Sequence, residues 1–130
     1  MKAVDVNIVS LAYLGDAVFE LYVRDFLIKR KYAKVQTLQK EAIKFVSAKS
    51  QARILDYLII NDCLSEEELA IVKRGRNYRR VTHPKNTDVI TYKISTGFEA
   101  LFGALFVERK NDRIRELMDM ILEGYYEKDF

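Results

Sequence analysis

Leu11-Ala12-Tyr13-Leu14-Gly15-Asp16-Ala17-Val18 and, later in the chain, Thr96-Gly97-Phe98-Glu99-Ala100-Leu101-Phe102-Gly103-Ala104-Leu105-Phe106 decide how this sequence folds. Apolar residues recur at three and four positions in both, the spacing of helices rather than strands. Each stretch also carries an acid and at least one glycine that a simple core helix would not choose. A glycine inside a helix costs about 1 kcal/mol relative to alanine, so Gly15 and Gly103 call for a reason. Close approach of two backbones is that reason. If the two helices cross at these glycines, Asp16 and Glu99 converge on one point. Helices this apolar are expected to be largely buried, and a buried unpaired carboxylate costs several kcal/mol or shifts its pKa until neutral. Two converging carboxylates repel unless a proton or a cation lies between them. Hard oxygen donors without His or Cys favour Mg²⁺. The simpler alternative is an acid that faces solvent or pairs with Lys or Arg. Glu20, four residues after Asp16 on the same helical face, is a candidate third ligand and equally a partner for Arg24.

Working outward, the periodicity predicts an all-α chain. With one proline and five glycines in 130 residues there is little to interrupt helices. A first helix is expected over roughly 7–29, capped by Asn7 or Asp5. Its apolar positions run almost all round it, which suggests a central helix or one shared between core and subunit interface. Phe19, Tyr22 and Phe26 are candidates for either place. A second helical region spans about 35–61 with a break near Val46-Ser47, where the serine can cap the continuation. Ser65-Glu66-Glu67-Glu68 reads as a capping box, opening a helix that ends near Arg76-Asn77. Residues 78–86 read as an exposed loop. Thr87-Asp88 starts a long helix to about 108, and an amphipathic helix follows over about 111–126. No repeat or linker divides residues 1–130, so a single domain is expected.

Composition excludes several function classes. About half the residues are hydrophobic (49%) and about a third charged (32%), a globular balance. No apolar run approaches the ~18 residues of a membrane span, and the N-terminus lacks a signal-peptide pattern, so a cytoplasmic protein is expected. Cys63 and His83 are the only residues of their types. An internal disulfide, a cysteine–histidine zinc site and a histidine-based triad are therefore disfavoured, and carboxylates are left as the catalytic groups. Cys63 reads as a small buried hydrophobe.

Charge points to a partner. The net charge is +3, yet Lys73, Arg74, Arg76, Arg79, Arg80 and Lys85 crowd one segment that contains no acid, leaving the rest of the chain net negative. A local basic segment with Asn77, Tyr78 and Asn86 suits phosphates and 2′-hydroxyls; a solvated loop is the plainer alternative. The group Lys29-Arg30-Lys31 with Lys34 reads as a solvated helix end, and His83 has no visible orienting partner.

At these residues the chain resembles the ribonuclease III family, in particular its short Mini-ribonuclease III branch. Leu11 to Val18 and Phe98 to Ala104 match the family signature. Lys73-Arg74-Gly75-Arg76-Asn77, Pro84-Lys85-Asn86-Thr87-Asp88 and Ser95-Thr96-Gly97-Phe98-Glu99 match the branch. The resemblance implies a ribonuclease III endonuclease-domain-like helical bundle, homodimeric and Mg²⁺-dependent, that cleaves double-stranded RNA to 5′-phosphate and 3′-hydroxyl ends. It maps the catalytic and metal-binding acids to Asp16 and Glu99. It further implies maturation of 23S ribosomal RNA precursors, with a ribosomal protein as a candidate partner, and no appended double-stranded-RNA-binding domain. Larger members carry further acids where this chain has Ala12 and Thr96, which removes two ligands. The rival is a catalytically silent RNA-binding module of the same fold, disfavoured because both acids are retained.

Overall fold

A computed structural model describes residues 1–30, 34–79 and 88–126, with side chains through Gly124. A short 3₁₀ turn, Ala3–Asp5, precedes six α-helices: α1 (Ile8–Lys29), α2 (Val35–Val46), α3 (Ala48–Ile60), α4 (Glu66–Arg76), α5 (Val89–Val107) and α6 (Asn111–Asp119). The chain then continues from α6 into a π-helical segment, Met120–Tyr126, where a regular helix is predicted from the sequence. Among the described residues there is no strand.

Local chemistry sets the boundaries. Asn7 accepts from the N–H of Val9 and opens α1. Ser47 ends α2 and caps α3 by accepting from the N–H of Ser50 at 3.2 Å, so the predicted break falls where a hydroxyl can serve a free helix N–H. Ser65 and Glu68 form both halves of the capping box at 3.2 and 2.8 Å. Asp88 caps α5 through Thr91, whose N–H and hydroxyl bonds hold the Asp88 carboxyl below its usual range.

The helix at the centre is α5, not α1. It is packed by α1, α3, α4 and α6, and every residue from Ser95 to Leu105 is buried except Glu99. On α1 the buried positions Ile8, Leu11, Ala12, Gly15, Val18, Phe19, Val23 and Leu27 make one stripe, while Tyr13, Leu21 and Ile28 stay exposed on another side. The breadth of apolar sequence on α1 therefore reflects two faces rather than full burial. Phe19 belongs to the core, edge-on to Phe98 at 4.9 Å and beside Phe102 at 5.4 Å. Phe26 is half-buried, 6.4 Å from Phe45, and Tyr22 is half-buried as well. Cys63 is also half-buried, so it is not the core hydrophobe expected.

A partly buried ion pair locks α4 to α6. Arg113 donates from Nε and Nη2 to both oxygens of Glu68, each at 2.8 Å, and from Nη2 to the Cys63 carbonyl. Burial alone pushes the Glu68 carboxyl up, but the Arg113 and Ser65 hydrogen bonds and the guanidinium charge together hold it below its usual value. A depressed carboxyl contributes stability that is present above its unfolded pKa and is lost as pH falls through the folded one. Stability should therefore decline as acid titrates Glu68 below the ordinary carboxylate range. Arg113→Met should remove about 2–3 kcal/mol, because a buried carboxylate loses its partner. Urea melts of that variant at pH 7 and pH 3 should show the deficit shrinking at the lower pH.

Candidate active site

The glycines do what the sequence asks of them. A Cβ on Gly15 would lie 1.6 Å from the Glu99 carbonyl oxygen, and one on Gly103 would lie 1.9 Å from the Leu11 carbonyl oxygen. Backbones of α1 and α5 therefore touch at this crossing. Asp16 follows Gly15 on α1, and Glu99 is the residue whose carbonyl Gly15 meets, so both acids belong to the residues of this backbone crossing.

Their burial differs from the expectation. Asp16 is exposed and Glu99 half-buried. The reason lies in the helix turn of about 100° per residue: with Gly15 facing α5, Asp16 stands on the flank of α1 and reaches solvent. No cation is needed to offset burial of Asp16. Asp16 and Glu99 share the crossing and both offer hard oxygen donors. Glu99 is the more telling acid, the one gap in a fully buried length of α5, and Gln51 Nε2 from α3 donates to its Oε2 at 3.5 Å.

Other candidates fall away from this point. Ala12 and Thr96, which occupy the positions of the larger relatives' extra acids, are both buried, and the Thr96 hydroxyl donates to the Tyr92 carbonyl at 2.9 Å. Glu20 pairs with Arg24 at 3.5 Å and lines a groove between α1 and α2. Among the described residues no three His, Cys, Asp or Glu side chains converge as metal ligands, so Glu20 does not complete a triad with Asp16 and Glu99.

The basic segment begins beside the same helix. A second glycine crossing, not anticipated from sequence, sets Gly75 of α4 against Gly97 of α5: a Cβ on Gly75 would lie 2.8 Å from the Gly97 Cα, and one on Gly97 would lie 2.6 Å from the Val72 carbonyl oxygen. Gly97 is two residues from Glu99, so the end of α4 is held near the acids. Lys73, Arg74, Arg76, Asn77, Tyr78 and Arg79 are all exposed there. Arg74 has a structural task as well, donating to the Val6 carbonyl at 2.7 Å and to the Ala3 carbonyl at 3.4 Å. Arg80, His83, Lys85 and Asn86 lie outside the described residues. Of the other basic group, Lys29 pairs with Asp25 at 2.9 Å and Arg30 lies 4.9 Å from the Phe26 ring centroid, as a helix end would.

Comparison with known proteins meets this geometry. The Ribonuclease III domain family matches residues 9–110, which include both acids and the α4–α5 segment. Mini-ribonuclease 3 of Enterococcus faecalis is 40% identical over 117 residues, covering 90% of this chain and 89% of that protein. Mini-ribonuclease 3 of Staphylococcus aureus is 42% identical over 116 residues, covering 89% and 87%. A crystal structure of a Fusobacterium nucleatum protein superposes with a TM-score of 0.83 at 34% identity, covering 95% of this chain and 98% of that one. With its carboxylates at the α1–α5 crossing and its identity to these relatives extending over most of its length, the chain belongs to the ribonuclease III family and is an endoribonuclease.

Proposed function

We propose that this chain is a Mg²⁺-dependent nuclease that cleaves double-stranded RNA as a homodimer, matures 23S ribosomal RNA precursors, and leaves 5′-phosphate and 3′-hydroxyl ends. The observation that supports the reading is the α1–α5 crossing, where Gly15, next to Asp16 in the chain, meets the carbonyl of Glu99, the one half-buried residue between Ser95 and Leu105.

The donor set fits the cation. Asp16 and Glu99 offer hard oxygens, and with no third acid, imidazole or thiol converging among the described residues, water and RNA phosphate are left to complete the shell. Mg²⁺ characteristically keeps several waters and takes one or two carboxylates plus phosphate. When bound, it supplies charge neutralisation at the phosphodiester and activation of a water. The protein's own contribution is placement: phosphoryl transfer needs few chemical groups if they are positioned. Asp16 stays solvent-accessible to meet RNA, while Glu99 is anchored by a buried helix. Lys73 and Arg76 extend from α4 toward phosphates, and Tyr78 offers an exposed aromatic face. Asn77 and Arg79 lie exposed just after α4, and by sequence alone Arg80, Lys85 and Asn86 are assigned to RNA with them.

Duplex cleavage needs two such centres, one per strand, and a C2 dimer supplies them with matching symmetry. The exposed α1 stripe of Tyr13, Leu21 and Ile28 supports a partner subunit there, because large apolar side chains on one helix face seek cover. Ribosomal RNA precursors would place the work in the cytoplasm, and no described helix is long and apolar enough to cross a membrane.

Purified protein should cut a long RNA duplex in Mg²⁺, stop in chelator, and spare single-stranded RNA and duplex DNA. Failure of clean wild type on several duplexes would defeat the proposal. Replacing Lys73 and Arg76 together by Gln should weaken duplex binding and lower the salt slope by roughly 1.5–2, as about two fewer counterions are released. An unchanged slope would remove the end of α4 from the RNA surface.

A further inference from the structure

A guanidinium carries five N–H donors in a fixed fork, and where they go says whether the charge serves a partner or the protein itself. Lys73, Arg74, Arg76 and Arg79 all stand exposed at or just after the end of α4, and in sequence they look alike. Arg74 is set apart by what it holds. Its Nη2 donates to the Val6 carbonyl at 2.7 Å, and its Nη1 reaches toward the Ala3 carbonyl at 3.4 Å. A charged donor at 2.7 Å makes one of the stronger hydrogen bonds, which a phosphate would have to break to gain that N–H.

The segment Arg74 grips is held from a second side. The Ala3 N–H donates at 2.8 Å to Oε2 of Glu108, the residue that ends α5, and this hydrogen bond is the main cause holding the Glu108 carboxyl below its usual range. Within the segment the Val6 N–H closes back on the Ala3 carbonyl at 3.0 Å, and Ala3 and Ile8 are buried with Leu11, Ala12, Ala100 and Ala104. Residues 3–7 are therefore a strap, tied to the end of α5 and to α4, that leads into α1 where Asn7 caps the helix. The strap joins elements that otherwise meet little. α1 and α4 touch each other sparsely, and each packs instead on α5. The Gly75–Gly97 contact fixes how closely α4 approaches α5. Arg74, the residue before Gly75, adds a tie from α4 to the start of the helix that carries Asp16.

We infer that Arg74 is a positioning residue for RNA cleavage: through the strap it keys the RNA-holding end of α4 to α1, and so sets the register of bound duplex against Asp16 and Glu99. This role rests on the proposed reading in which Lys73 and Arg76 hold duplex RNA and the two acids cut it. Arg74 then differs in kind from its basic neighbours. A phosphate contact adds affinity and releases a counterion, whereas a positioning tie leaves affinity alone and changes how fast bound RNA is cut.

The test compares Arg74→Gln, Arg74→Lys, Glu108→Met and the double variant of Arg74→Gln with Glu108→Met, each at a temperature where circular dichroism shows it folded. Duplex-RNA affinity and its salt dependence are read in chelator, and the single-turnover rate at saturating duplex is read in Mg²⁺. A displacement of about 1 Å costs on the order of 100-fold in rate, so a loosened strap with Gly75 still against Gly97 should cost less, about 10-fold in Arg74→Gln. Affinity and salt slope of that variant should stay near wild type. Glu108→Met should slow bound RNA similarly, although it removes no positive charge, and the double variant should be no slower than the slower single one, because both break one strap. Arg74→Lys should recover part of the rate, since an ammonium still donates to one carbonyl. Weaker binding by Arg74→Gln with a salt slope lower by about 1 makes Arg74 a phosphate contact and overturns the inference. A wild-type rate on bound RNA in Arg74→Gln overturns it too, as do rate losses that multiply in the double variant. An unchanged slope in Lys73→Gln with Arg76→Gln is a separate failure, that of the α4 RNA surface, and it takes this role of Arg74 with it.

Discussion

Asp16→Asn and Glu99→Gln should each reduce duplex-RNA cleavage more than about 100-fold while leaving the fold intact. The lower bound follows from known scales: losing a residue that only supports a metal ligand costs 10–100-fold, so losing a ligand's charge should exceed it. Each substitution keeps the side chain's shape and replaces an anionic oxygen by an amide nitrogen that a hard cation does not accept. Asp16 is exposed, so Asp16→Asn should change stability by no more than about 0.5 kcal/mol. Glu99 sits against Gln51, and Glu99→Gln keeps an acceptor there through the amide oxygen. A gel assay across Mg²⁺ concentrations, with urea melts of the same preparations, separates catalytic from structural loss. Near-wild-type cutting by both variants would refute the assignment of the site. RNA binding without cleavage is the expected state of each, because the basic end of α4 is untouched.

Helix boundaries were legible because short-range chemistry fixes them. Ser47, Ser65 and Asp88 each cap the helix they were expected to open, through hydrogen bonds spanning three residues that no distant contact overrides. The α1–α5 crossing was legible because Gly15 and Gly103 are costly in helices and so announce a close approach. Gly75 and Gly97 carry the same signal less plainly: Gly75 lies within a charged segment that reads as surface, and Gly97 within a motif that reads as chemistry. Burial was less legible than position. Apolar density along α1 does not say which flank faces α5, so Asp16 was expected inside and stands outside. The placing of α5 at the centre likewise depends on α3 and α4 closing over it, which periodicity within one helix does not encode. Gln51 and the Glu68–Arg113 pair were invisible for a related reason. Their partners lie 48 and 45 residues away, and a polar residue in a helix reads as solvent-facing until the fold puts it inside.

Gly15→Ala should destabilise the protein strongly, and its effect on activity should exceed its effect on folding. Alanine is the better helix former by about 1 kcal/mol, so an isolated helix would gain. In this fold the new methyl would lie 1.6 Å from the Glu99 carbonyl oxygen and 2.7 Å from the Gly103 nitrogen. Both are backbone atoms, which no side-chain rotation can move aside. The helices must separate, and overpacking that shifts backbone costs about 3 kcal/mol or more even after the propensity gain. Gly103→Ala meets the Leu11 carbonyl at 1.9 Å and should behave alike. Because Gly15 adjoins Asp16 and presses on the Glu99 peptide, separation also moves one acid from the other. A displacement of about 1 Å in a positioned site costs on the order of 100-fold in rate. Measured in the cold, where the folded fraction is high, Gly15→Ala should still cleave duplex RNA roughly 100-fold more slowly than wild type. Ser10→Ala, at an exposed position of the same helix, should change stability by no more than about 0.5 kcal/mol and leave the rate alone. If Gly15→Ala were as stable as wild type, the backbone contact between α1 and α5 would be wrong. If it were destabilised yet fully active when folded, the two acids would not need the crossing to work together.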